Sequence, residues 1–273
     1  METELSPTHD GNRFCSVIAK LLLTLRCGAT LIYDDNRPNI PRQYKTLVGK
    51  PPKLIIKQKG VGGMTVIHEG MCFGEAPRWH EGQLWFSDMH AQQIWRMSPD
   101  GAVTLVLELA DDQVSGLGWM PDGDLLVVSM TQRQLLRYNG QEVALHADLS
   151  DVASFHCNDM VVDAHGRAYV GNFGFDLHNG AEARVAELIR VEPNGDIHVE
   201  DDQVFFPNGS VITPDGNTLI VGETFAAKLT AFDIQDDGSL SNKRLWAALP
   251  EGAVPDGICL DAAGGIWSAS PTS

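Results

Sequence analysis

One phrase recurs five times in this 273-residue chain: a turn built on glycine, then an alternating apolar run that ends in a small or polar residue. It reads HEGQLWFSD (His80–Asp88), PDGDLLVVS (Pro121–Ser129), AHGRAYVGN (Ala164–Asn172), PDGNTLIVGE (Pro214–Glu223) and AAGGIWSAS (Ala262–Ser270). The turn glycines Gly82, Gly123, Gly166, Gly216 and Gly264 are spaced by 41, 43, 50 and 48 residues. Glycine stands where a tight hairpin needs positive φ, and the run after it has strand composition. A second strand-like run follows four of the phrases, in QQIWRMSPDG, RQLLRYNG, AELIRVEPNG and KLTAFDIQDDG, and shorter ones such as TLVLEL and IHVED come next. About four short antiparallel strands per unit, at this period, is the signature of a β-propeller blade rather than of a solenoid. A β-sandwich would explain strands and turns but not five copies of one phrase. The chain is predicted to be all-β and a propeller.

Charge divides the chain. The whole carries 20 Lys+Arg against 36 Asp+Glu, a net of −16 and a pI near 4.8, which argues against nucleic acid or an anionic membrane as partner. Residues 1–63 hold 10 of the basic and 5 of the acidic residues, a net of +5, so residues 64–273 carry −21. All six Trp lie in the second part, from Trp79 onward. Two units are therefore expected: 1–63, a basic extension that is irregular or an artefact ahead of Met64, and 64–273, the propeller. Cys15, Cys27, Cys72, Cys157 and Cys259 form no CxxC pair, so neither a zinc site nor a disulfide framework is indicated, and a reducing cytoplasmic setting is expected. The apolar run Val17–Leu25 falls short of the roughly 20 residues of a membrane span, and Glu2, Glu4 and Asp10 ahead of it do not suit a signal peptide.

Ahead of four of the phrases lies another short strand, and at its start a polar residue: GEAPRW (Gly74–Trp79), CNDMVVD (Cys157–Asp163), PNGSVITPDG (Pro207–Gly216) and PDGICLDAAG (Pro255–Gly264). Equivalent positions of successive blades converge on a propeller's central channel, so Glu75, Asn158, Asn208 and Asp256 are expected to meet there. Two carboxylates and two amides make an all-oxygen set suited to Ca²⁺, Mg²⁺ or Mn²⁺, with Zn²⁺ less well served. Taken singly, Asn208 in PNG and Asp256 in PDG also read as ordinary turn residues bonded to their own backbone. Taken together, the cation reading is favoured.

The ordered segments GEAPRW, CNDMVVDAHGRAYVGN, FPNGSVITPDGNTLIVGET and VPDGICLDAAGGIWSAS resemble the SMP-30/gluconolactonase/luciferin-regenerating-enzyme-like family, over roughly residues 66–273. The resemblance implies a six-bladed propeller with one divalent cation in its channel, Ca²⁺ foremost, and hydrolysis of sugar lactones or related cyclic esters. It implies Glu75, Asn208 and Asp256 as the metal ligands and Asn158 as a contact to substrate or to a metal-bound water. Where the family often has Arg, this chain has His156, and a family acidic residue corresponds to Asp176. A substrate pocket rewired relative to the aldonolactone-cleaving members follows, with His156 and Asp176 as substrate-binding candidates and His178 as a weaker one.

The expected chemistry is opening of a small-molecule lactone by a metal-activated water, with Asp256 as general base. No GxSxG elbow is present to suggest a covalent route. The alternatives are a non-catalytic propeller that binds a metal or a protein, and phosphotriester hydrolysis at the same metal. About four and a half blades are recognisable. Measured against six, this suggests truncation, or else replacement of the missing strands by N-terminal runs such as Lys53–Lys59 or Met64–Gly70.

Overall fold

The computed structural model describes residues 66–271 and, ahead of them, three short strands. These are β1 (Ala29–Leu31), β2 (Tyr44–Thr46) and β3 (Leu54–Ile55), of which β1 pairs with β2. β3 pairs antiparallel with β4 (Val66–His68), so the two N-terminal runs picked out above partner each other. The remainder of the basic extension lies outside the described residues.

Four four-stranded antiparallel sheets follow, each built from strands consecutive in sequence. Blade I contains β5 (Gly74–His80), β6 (Gln83–Asp88), β7 (Gln93–Met97) and β8 (Val103–Glu108); blade II contains β9 (Val114–Trp119), β10 (Leu125–Ser129), β11 (Gln134–Tyr138) and β12 (Val143–Asp148). Blade III contains β13 (Cys157–Val162), β14 (Ala168–Asn172), β15 (Ala186–Val191) and β16 (Ile197–Val204). Blade IV contains β17 (Pro207–Ile212), β18 (Thr218–Glu223), β19 (Lys228–Ile234) and β20 (Leu240–Ala248). A hairpin, β21 (Ile258–Leu260) with β22 (Ile266–Ser268), stands where a fifth blade begins. The arrangement is an all-β propeller of four blades, and the recurring phrase is in each case the turn into the second strand. Among the described residues the one helical element is a single 3₁₀ turn, Thr224–Ala226, and no helix is long and apolar enough to cross a membrane.

Strand alternation explains why the blades stack. On β10, Leu125 and Val127 pack with Ala76, Ile94 and Val114 towards blade I, while Leu126 and Val128 pack with Met160 and Val170 towards blade III. On β18, Leu219 and Val221 join Tyr169 and Leu188 of blade III, while Ile220 faces Ile258 of the hairpin. The core therefore lies between blades, and central strands are apolar on both faces. Each fully buried Leu, Ile or Val contributes about 1.5–3 kcal/mol. The outer strands β8, β12, β16 and β20 are largely exposed.

The inner strands pack side by side, β5 on β9, β9 on β13, β13 on β17 and β17 on β21. Close approach demands small residues there. A Cβ on Gly116 of β9 would lie 2.7 Å from Met160 N of β13, and one on Gly209 of β17 would lie 2.5 Å from Ile258 N of β21.

Candidate functional site

The polar residue closing each second strand turns inward and pins the segment that enters an inner strand. Asp88, which is 2% exposed, accepts hydrogen bonds from the peptide N–H groups of Cys72 and Phe73, both at 2.8 Å, just ahead of Glu75. Glu223, 1% exposed, accepts from Phe205 N at 2.8 Å, three residues ahead of Asn208. In blade III the device has two members. Asn172 Nδ2 donates to Glu187 O and Oε2, and the Glu187 carboxylate accepts from Ser154 N at 2.9 Å and Ser154 Oγ at 2.5 Å, four residues ahead of Asn158. A buried carboxylate needs such donors, and satisfying them fixes the loop in one position.

Asn158, Asn208 and Asp256 are all buried, each at the start of its blade's inner strand or just ahead of it. Asn208 Nδ2 donates to Asp256 Oδ1 at 2.9 Å and to Thr224 Oγ1 at 3.2 Å. The backbone holds the pair in register, because Gly209 N donates to Asp256 O at 3.0 Å across the gap between blades. Thr224 Oγ1 donates to Pro255 O at 2.8 Å, tying the 3₁₀ turn to the same point. Asn158 Nδ2 donates to Pro207 O at 3.3 Å, so all three positions are linked within one shell. Glu75 occupies the equivalent place on blade I, paired with Ser87 at the β-bulge that separates it from Arg78.

The donor chemistry suits a hard cation: a buried amide and a buried carboxylate within 2.9 Å of each other, with no sulfur or imidazole in the set. Among the described residues, no group of three His, Cys, Asp or Glu side chains is placed to hold a metal; the candidate set has only two carboxylates and depends on amides for the rest.

His156 lies over Phe155, with ring centroids 4.1 Å apart, and 6.3 Å from His178. Its Nδ1 is buried with no hydrogen-bond partner. Burial, and secondarily the neighbouring His178, hold its pKa below the usual imidazole value, so the ring is neutral near pH 7. Asp176 is bonded within its own loop, accepting from Asn179 Nδ2 at 2.7 Å and Asn179 N at 3.1 Å; those bonds lower its pKa.

Three features were not evident in the sequence. Arg78 reaches past blade II to blade III, donating to Asp159 Oδ1 at 2.6 Å and to Met160 O at 2.9 Å. Phe206, two residues ahead of Asn208, has φ of +59°, a left-handed conformation that costs an aromatic residue roughly 1–3 kcal/mol unless its surroundings impose it. Its ring stacks on Phe173 at 4.5 Å and lies 5.1 Å from Phe225, within an aromatic cluster that extends through Phe173 to His156. The only hint of that cluster was the Phe that follows the strand phrase in NFGF and ETF. At the opposite end of blades III and IV lies a cleft of about 540 Å³, bounded by Asp163, His165, Arg167, Thr213 and Asp215.

Residues 73–273 match the SMP-30/Gluconolactonase/LRE-like region. The chain is 27% identical over 209 residues to pentonolactonase XacC of Haloferax volcanii, covering 75% of this chain and 68% of that one. It is 27% identical over 202 residues to the regucalcin of Gallus gallus, covering 72% and 67%. A solved gluconolactonase from Xanthomonas campestris superimposes with a TM-score of 0.63 at 25% identity, covering 80% of this chain and 72% of that one. The chain belongs to the SMP-30/gluconolactonase/LRE-like family.

Proposed function

We propose that this protein hydrolyses a lactone at the Asn208–Asp256 pair. The observation that carries the reading is the contact between these two buried side chains across the blade gap, fixed by the Gly209 N–Asp256 O bond. The names of two similar proteins, a pentonolactonase and a gluconolactonase, support it. The same reading takes residues 64–273 as the catalytic unit and its blades as part of a six-bladed ring.

Glu75, Asn208 and Asp256 would hold a divalent cation, Ca²⁺ foremost, with Mg²⁺, Mn²⁺ or Zn²⁺ as substitutes. Such an ion supplies a Lewis acid that polarises the lactone carbonyl and lowers the pKa of water. Asp256 orients the attacking water. Asn208 Nδ2 donates to Oδ1 of that carboxylate and holds it in place while it takes the water's proton. The water oxygen bonds to the carbonyl carbon, the ring C–O bond breaks, and the departing ring oxygen receives the proton that Asp256 took from the water, giving a hydroxy acid and restoring the carboxylate. Asn158 and His156 orient the ester group, and Asp176 stands at the rim.

The test is a pH-indicator assay over a lactone panel, with EDTA and then with added Ca²⁺, Mn²⁺ or Zn²⁺. Cation-dependent acid release is expected, and Asp256→Asn should reduce it by about 10²–10⁴-fold with the fold retained. Turnover that survives this substitution overturns the role of Asp256. Silence across the whole panel overturns the lactonase reading and turns attention to phosphotriesters or to a binding role.

A further inference from the structure

We infer that the lactone this site accepts carries an apolar flank, an alkyl or aryl substituent, seated on the Phe173–Phe206–Phe225 side of the Asn208–Asp256 pair; the inference rests on the lactonase reading. Nine large apolar side chains are exposed among the described residues. Six of them, Leu105, Val143, Leu145, Val199, Leu245 and Trp246, lie on the outer strands β8, β12, β16 and β20, as expected for edges that face water. The other three, Leu177, Val185 and Phe225, lie on the loops of blades III and IV, at the end where Asn158 and Asn208 begin their strands. Phe225 belongs to the aromatic cluster, Leu177 N donates to Phe175 O at 2.9 Å, and Val185 O lies 3.0 Å from where a Cβ on Gly174 would stand. Phe225 stands edge-on to Phe175 at 5.3 Å and lies 5.1 Å from Phe206, which is two residues from Asn208. Phe225 also follows Thr224, whose hydroxyl accepts from Asn208 and donates to Pro255 O.

Polar groups at this end are mostly committed. The Thr224 hydroxyl has both of these bonds, Asp176 holds Asn179, and Arg184 Nε donates to Gly174 O at 2.6 Å. Among the rings of this cluster, the Nδ1 of His156 is buried and unpartnered. A polyhydroxylated sugar lactone would leave hydroxyls unpaired against phenyl rings, and each unpaired hydroxyl costs affinity. A lactone with one ester group and an apolar arm needs one polar contact and an apolar wall. That is what this end provides.

The test compares glucono-1,5-lactone with δ-valerolactone and its 5-alkyl homologues up to δ-decalactone, assayed as above with the activating cation. The expected result is kcat/KM rising by about fourfold per methylene that reaches the Phe wall, and δ-decalactone exceeding glucono-1,5-lactone by more than tenfold. Phe225→Ala, at an exposed position, should flatten the chain-length series, and Leu177→Ser should do so in a protein whose unfolding midpoint is unchanged. Turnover of glucono-1,5-lactone with a flat or falling alkyl series overturns the inference and leaves the lactonase reading standing. No cation-dependent turnover of either class overturns both.

Discussion

Pro214-Asp215-Gly216 and Pro255-Asp256-Gly257 are the same tripeptide in two settings, and the contrast separates what a turn needs from what a site needs. Asp215 is exposed at a β-turn, where its carboxylate accepts from Thr213 Oγ1 and Asn217 N, both within four residues of sequence. Asp256 is buried and receives Asn208 Nδ2 from 48 residues away. The glycines differ as sharply. Gly216 has φ of +77°, and nothing lies within 4 Å of where its Cβ would stand. Gly209, in the parallel tripeptide Pro207-Asn208-Gly209, has no positive φ, but a Cβ there would meet Asp256 O and Ile258 N at 2.5 Å. One glycine serves backbone conformation; the other serves the approach of two blades.

The contrast breaks most visibly in catalysis. Asp256→Ala should abolish lactone turnover, whereas Asp215→Ala should leave it unchanged; equal losses, in the same assay, would mean the two ends are not functionally distinct. Stability gives the next largest effect. Gly209→Ala should cost about 1–3 kcal/mol by forcing the inner strands apart, and should weaken turnover as well. Gly216→Ala should cost about 1 kcal/mol and spare turnover. Denaturant melts of both, read beside the activity assay, separate the two roles of glycine.

Smaller effects follow from titration. Burial lowers the pKa of His80 and of His146, the latter helped by Arg137, so the folded protein disfavours their protonated forms. His146 touches the Pro193-Asn194-Gly195 turn, its Nε2 lying 3.2 Å from Glu192 O. Both groups are neutral in folded and unfolded chains above pH about 6.5. Stability should therefore be constant there and decline as pH falls below 6.5 through the folded-state values, with His146→Gln flattening part of that decline in melts between pH 7.5 and 5. The smallest effect is chemical. Burial pushes the Cys157 thiol up to about 12, so in native protein at pH 8 a thiol reagent should modify exposed Cys72 and leave Cys157 intact. Prompt labelling of Cys157 would show that the inner end of blade III opens readily.

The sequence period revealed the blades because hairpin turns and double-faced strands are local features. The runs named as second and third strands coincide with β6 and β7, β10 and β11, β14 and β15, and β18 and β19. The fourth strands β12 and β20 were invisible, since strands exposed on both faces carry no apolar alternation. At the site, equivalence among blades identified Asn208 and Asp256, which the structure joins directly. It could not reveal Arg78 with Asp159, 81 residues apart, because an ion pair across three blades leaves no periodic trace. Nor could it show the left-handed Phe206, since an aromatic residue is a poor signal for positive φ.

The Arg78–Asp159 bridge has a consequence for cooperativity. It runs from the inner strand of blade I to that of blade III, one residue beyond Asn158. The same guanidinium is also held by Met160 O, so the link is doubled. Blades I and III are therefore coupled directly as well as through blade II, and loosening either should be felt at the strand that carries Asn158.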